Sequence, residues 1–544
     1  MTNPILLCCK ATGPFGNVWR ATIVSVLVIL PASVNAASGV WVLDPVNGDW
    51  NTPANWSSNT VPNGGGDAAA FALSHNTAVS ISASIAVFGL SFNTGSSAFS
   101  ITAFPGNSLS IGDGGISNLS GVAQNFVAET NDAGQSGSFI FNGGSVGDGV
   151  AFTEYGASLS GVQGGSVYFS STFESANAGP ATFRNLGGAV SGASGGIVGF
   201  QFHANAAEST IINEGGQVSG AGGGLTLFQF NNPSAATATI IANGGVVNGA
   251  DGAAITFYDG SLADNSTLIA NGGVSGGIGG TILFLAASNG GTSRVEVFGN
   301  GNLDLRQHNA QPPMTIGSLE GDGVVFLNQH SLTIGGNSLN TGFSGVIQGN
   351  GSVVKAGTGT LTFFGENLYS GGTTVTQGVL IVSNSTGSGA GTGAVNVNAG
   401  SLGGSGTIAG VVTLGTGSGT GAFLAPAAGG KKQLILTIQS ALTFKTDATY
   451  TYTFKAKQNK ARADKVIANG VTVNTGAVLS LSGQTQGSLR QGLTLTLISN
   501  TSANPISGTF SNLPDGAIVN VNGNNLQASY EGGDGNDLTL TAVP

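Results

Sequence analysis

Between Ala181 and Val297 the apolar residues come in short bursts instead of at helical spacing. A unit recurs there: ATFRNLGG from Ala181, STIINEGG from Ser209, ATIIANGG from Ala238 and STLIANGG from Ser266. Its paired glycines fall at Gly187-Gly188, Gly215-Gly216, Gly244-Gly245 and Gly272-Gly273, in steps of 28, 29 and 28 residues. Each unit passes through a Val/Gly/Ser turn into a second apolar run, as in Leu225-Thr226-Leu227-Phe228, Ile255-Thr256-Phe257 and Ile282-Leu283-Phe284, and Arg294-Val295-Glu296-Val297 opens a fifth, degraded copy. Short runs rich in Thr, Ile, Val and Phe predict strands, and interior glycines disfavour helix. The Gly and Asn that follow are read as turn positions with positive φ. Such a unit cannot bury its apolar face alone, but stacking it on its neighbour builds a continuous core and a continuous backbone ladder. The expected fold is all-β, a parallel β-helix, with Ile211, Ile240, Leu268, Phe228, Phe257 and Phe284 in its core. Propeller blades run to about 40 residues and sandwiches are less self-similar, so both fit less well.

Composition agrees. The 544 residues include 93 Gly, only 7% are charged and 40% are hydrophobic, which argues against disorder. No strict Gly-X-Y period exists, which excludes collagen.

Residues 1–36 read as a secretory signal: Lys10 and Arg20, then an apolar stretch from Ile23 to Leu30, then Val34-Asn35-Ala36 as a cleavage site. That stretch is too short to span a membrane, which takes roughly 20 residues, and no later segment is better. Cys8 and Cys9 both lie in the signal, so the mature chain is expected to hold neither disulfides nor thiolate-bound metal. Cleavage removes two cations and no acid, moving the net charge from −10 to −12 and arguing against a nucleic-acid partner.

Trp41, Trp50 and Trp56 crowd the start of the mature chain. An open solenoid end exposes core and strand edges, so a cap is the expected role; an aromatic platform for sugars is the alternative. The spacing Gly48-Asp49-Trp50, Asn55-Trp56-Ser57, Val61-Pro62, Gly66-Asp67 and Phe71 resembles the opening of large exported bacterial proteins with autotransporter-associated β-strand repeats. Residues 351–382 resemble that repeat itself, through Lys355, Gly357, Gly359, Leu361-Thr362, Tyr369-Ser370-Gly371-Gly372-Thr373-Thr374 and Gly378-Val379-Leu380. Gly317 to Gln348, ending in Phe343-Ser344-Gly345-Val346-Ile347, is similar to a weaker preceding copy. The resemblance implies a passenger-like, right-handed parallel β-helix displayed on, or released from, a Gram-negative-type cell, without implying one activity. Such proteins often continue into a membrane β-barrel or a Pro-Glu-Pro sorting tail. Neither pattern precedes Pro544, so a secretion barrel in trans, another export route or a longer gene is expected. The expected organisation is signal 1–36, N-terminal cap and first coils 37–128, β-helix with 28–29-residue repeats 129–316, autotransporter-associated repeats 317–400 and a β-rich C-terminal segment 401–544.

In that last segment the composition shifts. Nine of the 15 basic residues lie between Lys431 and Arg490. Ala448 to Phe454 alternates at period two and predicts a strand, followed by a Lys-rich turn and a second strand at Asp464-Lys465-Val466-Ile467. The basic stretch at 455–465 is read mainly as edge charge that blocks strand-to-strand aggregation, with contact to anionic lipid or polysaccharide as the alternative.

Catalytic templates find little to work with. His75, His203, His308 and His330 are scattered and form no His-Glu-x-x-His pair. The G-x-S-x-G pattern occurs around Ser194 and Ser275, both at repeat turns with no helix expected to follow. Gly532-Gly533-Asp534-Gly535-Asn536-Asp537-Leu538-Thr539-Leu540 approximates a calcium nonapeptide, but one copy lacks half the ligands of such a site and reads as a polar turn before a last strand. Glu154, Glu174, Glu208, Glu214, Asp251, Asp259 and Asp264 do not coincide within the units, so spacing pairs none of them. No catalytic, cofactor-binding or metal-ligating residue is assigned and no cofactor is expected. The sequence points to an exported structural or adhesin-like β-solenoid, secreted or at the cell surface, without enzymatic activity, whose partners are surface glycans or other cells. A polysaccharide-active β-helix, lyase or glycoside hydrolase, is the alternative.

Overall fold

The computed structural model describes residues 37–171, 176–309, 313–419, 421–428 and 433–544. The signal segment, with both cysteines, and Glu174 lie outside the described residues.

Ala37–Pro544 is a parallel β-helix, and helical structure among its described residues is a single 3-10 turn at Pro53–Asn55. Alternate strands of each coil join two long parallel sheets. One sheet has thirteen strands, running from Gly39–Val40 to Val346–Gly349. The second runs in one line from Ala78–Ile81 through the first strand of each repeat to Val478–Gln486, its two ends not meeting. A third face begins as single parallel bridges linking Ser145, Asn177, Asn205, Ser234, Leu262 and Asn289. From Met314 onward it widens into an eight-stranded sheet ending at Val471–Val473. The coil shortens at the same time. Its step is 28 residues where Asn185 registers with Asn213 and 20 where Lys355 registers with Val375. The stack finishes in antiparallel pairings, Thr494–Asn500 with Asp537–Val543 and that strand with Asn524–Gly532.

Register is in phase along the repeats. Ile211 pairs with Ile240 and Ile240 with Leu268; Phe228 pairs with Phe257 and Phe257 with Phe284. All six side chains are fully buried, as the repeat pattern requires. Because parallel strands lie about 4.8 Å apart, in-register phenylalanines are forced into a stack. Phe141, Phe169, Phe200, Phe228, Phe257 and Phe284 form one, with centroids 4.5–5.1 Å apart and rings within 10° of parallel. Each such contact adds roughly 0.5–1.5 kcal/mol to the area it buries.

The paired glycines serve a purpose other than the one the turn reading gives them. None of Gly187, Gly215 and Gly244 has positive φ; positive φ falls later in each unit, at Gly192, Gly220 and Gly249. What the pairs supply is closeness. A Cβ on Gly187 would lie 2.0 Å from the carbonyl oxygen of Gly215, and one on Gly215 2.1 Å from that of Gly244.

Trp41, Trp50 and Trp56 are buried at 1%, 0% and 2% exposure against Phe71 in the first coils, each indole N–H donating to a backbone carbonyl. Their burial favours the cap and overturns the sugar platform, which needs exposed ring faces.

Two ionisable side chains are buried in the stack. Lys355 is 1% exposed, and its Nζ donates to the carbonyls of Ala356, Gly357 and Gln377 at 2.5, 2.9 and 3.2 Å, clamping one coil to the next. Burial lowers its pKa to about 8, while the three carbonyls favour the ammonium form. Glu154 is fully buried, in register with Asn185, which is in register with Asn213. Asn185 Nδ2 donates to Asn213 Oδ1 at 2.7 Å and Asn213 Nδ2 to the Ile241 carbonyl at 3.0 Å. Above them Asn185 Oδ1 and both Glu154 oxygens have no hydrogen-bond partner. Burial holds the Glu154 carboxyl well above the ordinary carboxylate range, the nearby backbone N–H groups of Glu154 and Arg184 offsetting only part of this.

Three outcomes follow for stability, each read from urea or thermal unfolding of the mature chain. Phe228→Ala opens the stack and destabilises by about 3–5 kcal/mol. Lys355→Met strands three carbonyls and lowers stability by about 1–3 kcal/mol. A raised folded pKa makes the Glu154 contribution fully present below its unfolded value near 4.5 and lost as pH rises through the folded value. Glu154→Gln therefore raises stability at pH 8 and changes it little at pH 4; equal pH profiles for the two proteins would refute this.

Candidate functional site

The coils turn alternate strand residues inward, so the others form straight outward columns, one residue per coil, spaced about 4.8 Å apart. On the third face the column is Thr315, Thr333, Val354, Thr374, Asn396, Thr413, Thr443 and Thr472, all in register. On the second sheet Thr182, Thr210, Thr239 and Thr267 form a column beside Arg184, Ile212, Ile241 and Ile269. Hydroxyls line the third face, whereas on the second sheet a hydroxyl column runs beside an isoleucine one.

The corner after the second-sheet strands carries a hydrogen-bonded line. Asn271 Nδ2 donates to Asn243 Oδ1 at 2.8 Å, Asn243 Nδ2 to Glu214 Oε2 at 2.9 Å and Arg184 Nε to Glu214 Oε1 at 3.0 Å. Beside it lies an open depression of about 450 Å³ lined by Tyr155, Arg184, Leu186, Glu214, Gln217 and Val246. Its carboxylate is engaged on both oxygens, which suits a recognition surface better than acid–base work.

The other carboxylates of the repeat region go to different places. Glu154 is interior, Glu208 and Asp251 are exposed at turns, Asp259 sits at a corner with φ 51°, and Asp264 accepts a hydrogen bond from Ser234 Oγ. Partial desolvation by its neighbours raises the Asp251 pKa. Ser194 and Ser275 lie in turns that lead into the strands Ile197–Phe202 and Thr281–Phe284, with no helix after either. The calcium-like stretch is the hairpin turn before Asp537–Val543, with Asp537 Oδ1 accepting from the Asn500 N–H at 2.9 Å. Among the described residues no group of three or more His, Cys, Asp or Glu is placed to hold a metal ion, and no helix is long and apolar enough to cross a membrane.

The histidines are less scattered than the sequence suggests. His308 and His330 meet edge to face, ring centroids 5.7 Å apart, and His308 Nε2 bonds the Ser288 carbonyl at 2.8 Å. Burial, and then His308, lowers the His330 pKa. The shortened coil brings the two rings together. His75 instead contacts Asp44 at 2.7 Å on the exposed surface.

The Lys-rich stretch is a second correction. It forms no simple turn: the strand runs on as Ala448–Lys457 and folds back as Lys460–Ala463 before Lys465–Ala468 begins. Neither the basic face so formed nor the threonine columns could be placed from spacing, because the intervals between coils vary.

Residues 353–382 match the family described as Passenger-associated-transport-repeat. The matched coils are the strands Ser352–Lys355, Thr360–Phe363, Thr373–Val375 and Val379–Val382, one on the third face, one on the second sheet, and again one on each. No curated protein matches the sequence. Among solved structures, the Haemophilus influenzae Hap adhesin is similar at 12% identity with a TM-score of 0.29, over 88% of this chain. The chain spans 59% of the length of that structure. Carrying that repeat at residues 353–382, the protein is autotransporter passenger-like.

Proposed function

We propose that this protein is an exported, adhesin-like β-solenoid, displayed on or released from a Gram-negative-type cell, that binds through its outer faces and catalyses no reaction. One observation carries this reading: the passenger-associated repeat is part of a continuous coil stack whose outward positions on the third face form an in-register column made mostly of Thr, with Asn396 and Val354 among them. Shallow polar columns bind weakly one contact at a time. A rod that engages many at once gains avidity, by as much as 10²–10⁴-fold, without a deep pocket. Two further features support binding over turnover. The repeat-region carboxylates are dispersed, and Glu214, in the corner depression, is held by Arg184 and Asn243.

The test is a glycan array and a cell-binding assay on the mature chain, alongside incubation with acidic and neutral polysaccharides with and without calcium. Binding that is strong to dense or polymeric ligands, weak to their monomers and unaccompanied by any chain cleavage is the expected outcome. A silent array with no cell binding counts against adhesion, and release of new sugar ends would replace this reading with an enzymatic one.

A further inference from the structure

The strand Ala448–Lys457 is paired on both sides. Val478–Gln486 runs parallel along one side and Lys460–Ala463 antiparallel along the other. In the antiparallel register Lys455 faces Arg462 and Lys457 faces Lys460. Alternation turns Phe454 and Ala456 into the core and leaves Lys455, Lys457, Lys460 and Arg462 exposed. Four cations thus occupy one outward face, about 5 Å apart across the strands and about 7 Å apart along them.

Like charges directly opposite one another destabilise a strand pair, and two such pairs stand side by side in a chain of net charge −10. Edge protection accounts for Lys460 and Arg462, which lie on the edge strand. It does not account for Lys457, whose strand has no free edge at that position. The neighbouring strand continues the same face. Thr451, Thr453, Lys455 and Lys457 register with Ser480, Ser482, Gln484 and Gln486, and the last four are exposed. At the tip the Arg490 N–H bonds the Gln458 carbonyl at 2.9 Å, bringing a fifth exposed cationic residue alongside.

We propose that this face binds a linear acidic polysaccharide, its acid groups lying among the four opposed cations and its hydroxyls against the row of Ser and Gln side chains. The proposal rests on the adhesive reading above and names its partner. Charge complementarity selects an acidic polymer. From Thr451 to Lys457 and from Ser480 to Gln486 every outward position is polar, so the cations are flanked by hydroxyl and amide groups that match the hydroxyls of a sugar chain, and no apolar side chain is offered to a bilayer. A polyanion would also relieve the repulsion between the paired cations, so its binding should raise the stability of the folded chain.

The experiment compares the mature chain with the variant Lys455→Gln, Lys457→Gln, Lys460→Gln, Arg462→Gln, and with the milder pair Lys457→Gln, Lys460→Gln. The probes are polygalacturonate and heparin, with neutral dextran and phosphatidylglycerol vesicles as controls. The expected result is binding of either acidic polymer that weakens as salt is added and falls at least tenfold in the fourfold variant and partially in the pair. Without polymer the pair should melt at the same temperature as the parent or higher, since repulsion has been removed; with polymer, only the parent should gain stability. Equal polymer binding by parent and variants overturns the proposal, as does binding of vesicles without binding of polymer. A pair variant that melts lower than the parent without polymer also overturns it, because the cations would then be structural. Cell binding scored in parallel separates this proposal from the adhesive reading. Cell binding without binding of either acidic polymer refutes the polysaccharide site alone, whereas loss of all cell and glycan binding in the parent refutes both.

Discussion

One spacing governs this molecule: each coil must lie about 4.8 Å above the last so that its strands can hydrogen-bond to the strands below. Every side chain that recurs in register is drawn into that lattice. Phenylalanines become a stack because their strands are already at stacking distance, and asparagines become a ladder because each amide meets the next. The paired glycines answer the same demand from the backbone, since at Gly187 and Gly215 a methyl group would occupy the place of the next coil's carbonyl. Burial in such a lattice is almost complete, so a misplaced polar group has nowhere to find water. That is why burial holds the Glu154 carboxyl well above the ordinary carboxylate range, and why Lys355 is buried with three carbonyls around it.

The lattice that fills the interior also orders the surface. Outward positions inherit the spacing of the core, which converts ordinary Thr, Asn and Lys residues into columns and patches of defined geometry. A polymer with its own repeat can meet many of them at once. A small substrate finds no enclosed pocket in the corner depression, and the one carboxylate there is already neutralised by Arg184. Charge is scarce, which makes its placement informative: across most of the stack cations pair with acids, as Arg294 does with Glu296 and Glu320 and Arg306 with Asp304. In the hairpin after Phe454, Lys457 lies opposite Lys460 and Lys455 opposite Arg462.

Where the repeat is regular, sequence and structure agree closely. The 28–29-residue step of the paired glycines placed Ile211, Ile240 and Leu268 in one column and Phe228, Phe257 and Phe284 in another, because residues at equal phase must share a direction when coils are stacked. Trp41, Trp50 and Trp56, which crowd together in the sequence, are buried together against Phe71. Where the coil length changes, phase is lost. His308 and His330 looked unrelated and are neighbours, and the threonine column from Thr315 to Thr472 runs through coils of unequal length. The glycine pairs were misread because a sequence cannot distinguish a glycine chosen for positive φ from one chosen for the approach of another backbone.

The sequence by itself determined the coil unit, the strands and the buried columns, since these follow from local alternation and from a period that repeats almost without drift. It also held the resemblance to exported passenger proteins, carried by residues 351–382. Only the tertiary structure decided which strand lies against which where the period breaks, that the lysines after Phe454 belong to paired strands and not to a loop, and that Glu154 faces inward without a partner. These are consequences of register between distant segments. Register is fixed by the packing of the whole stack, and no local run of residues contains it.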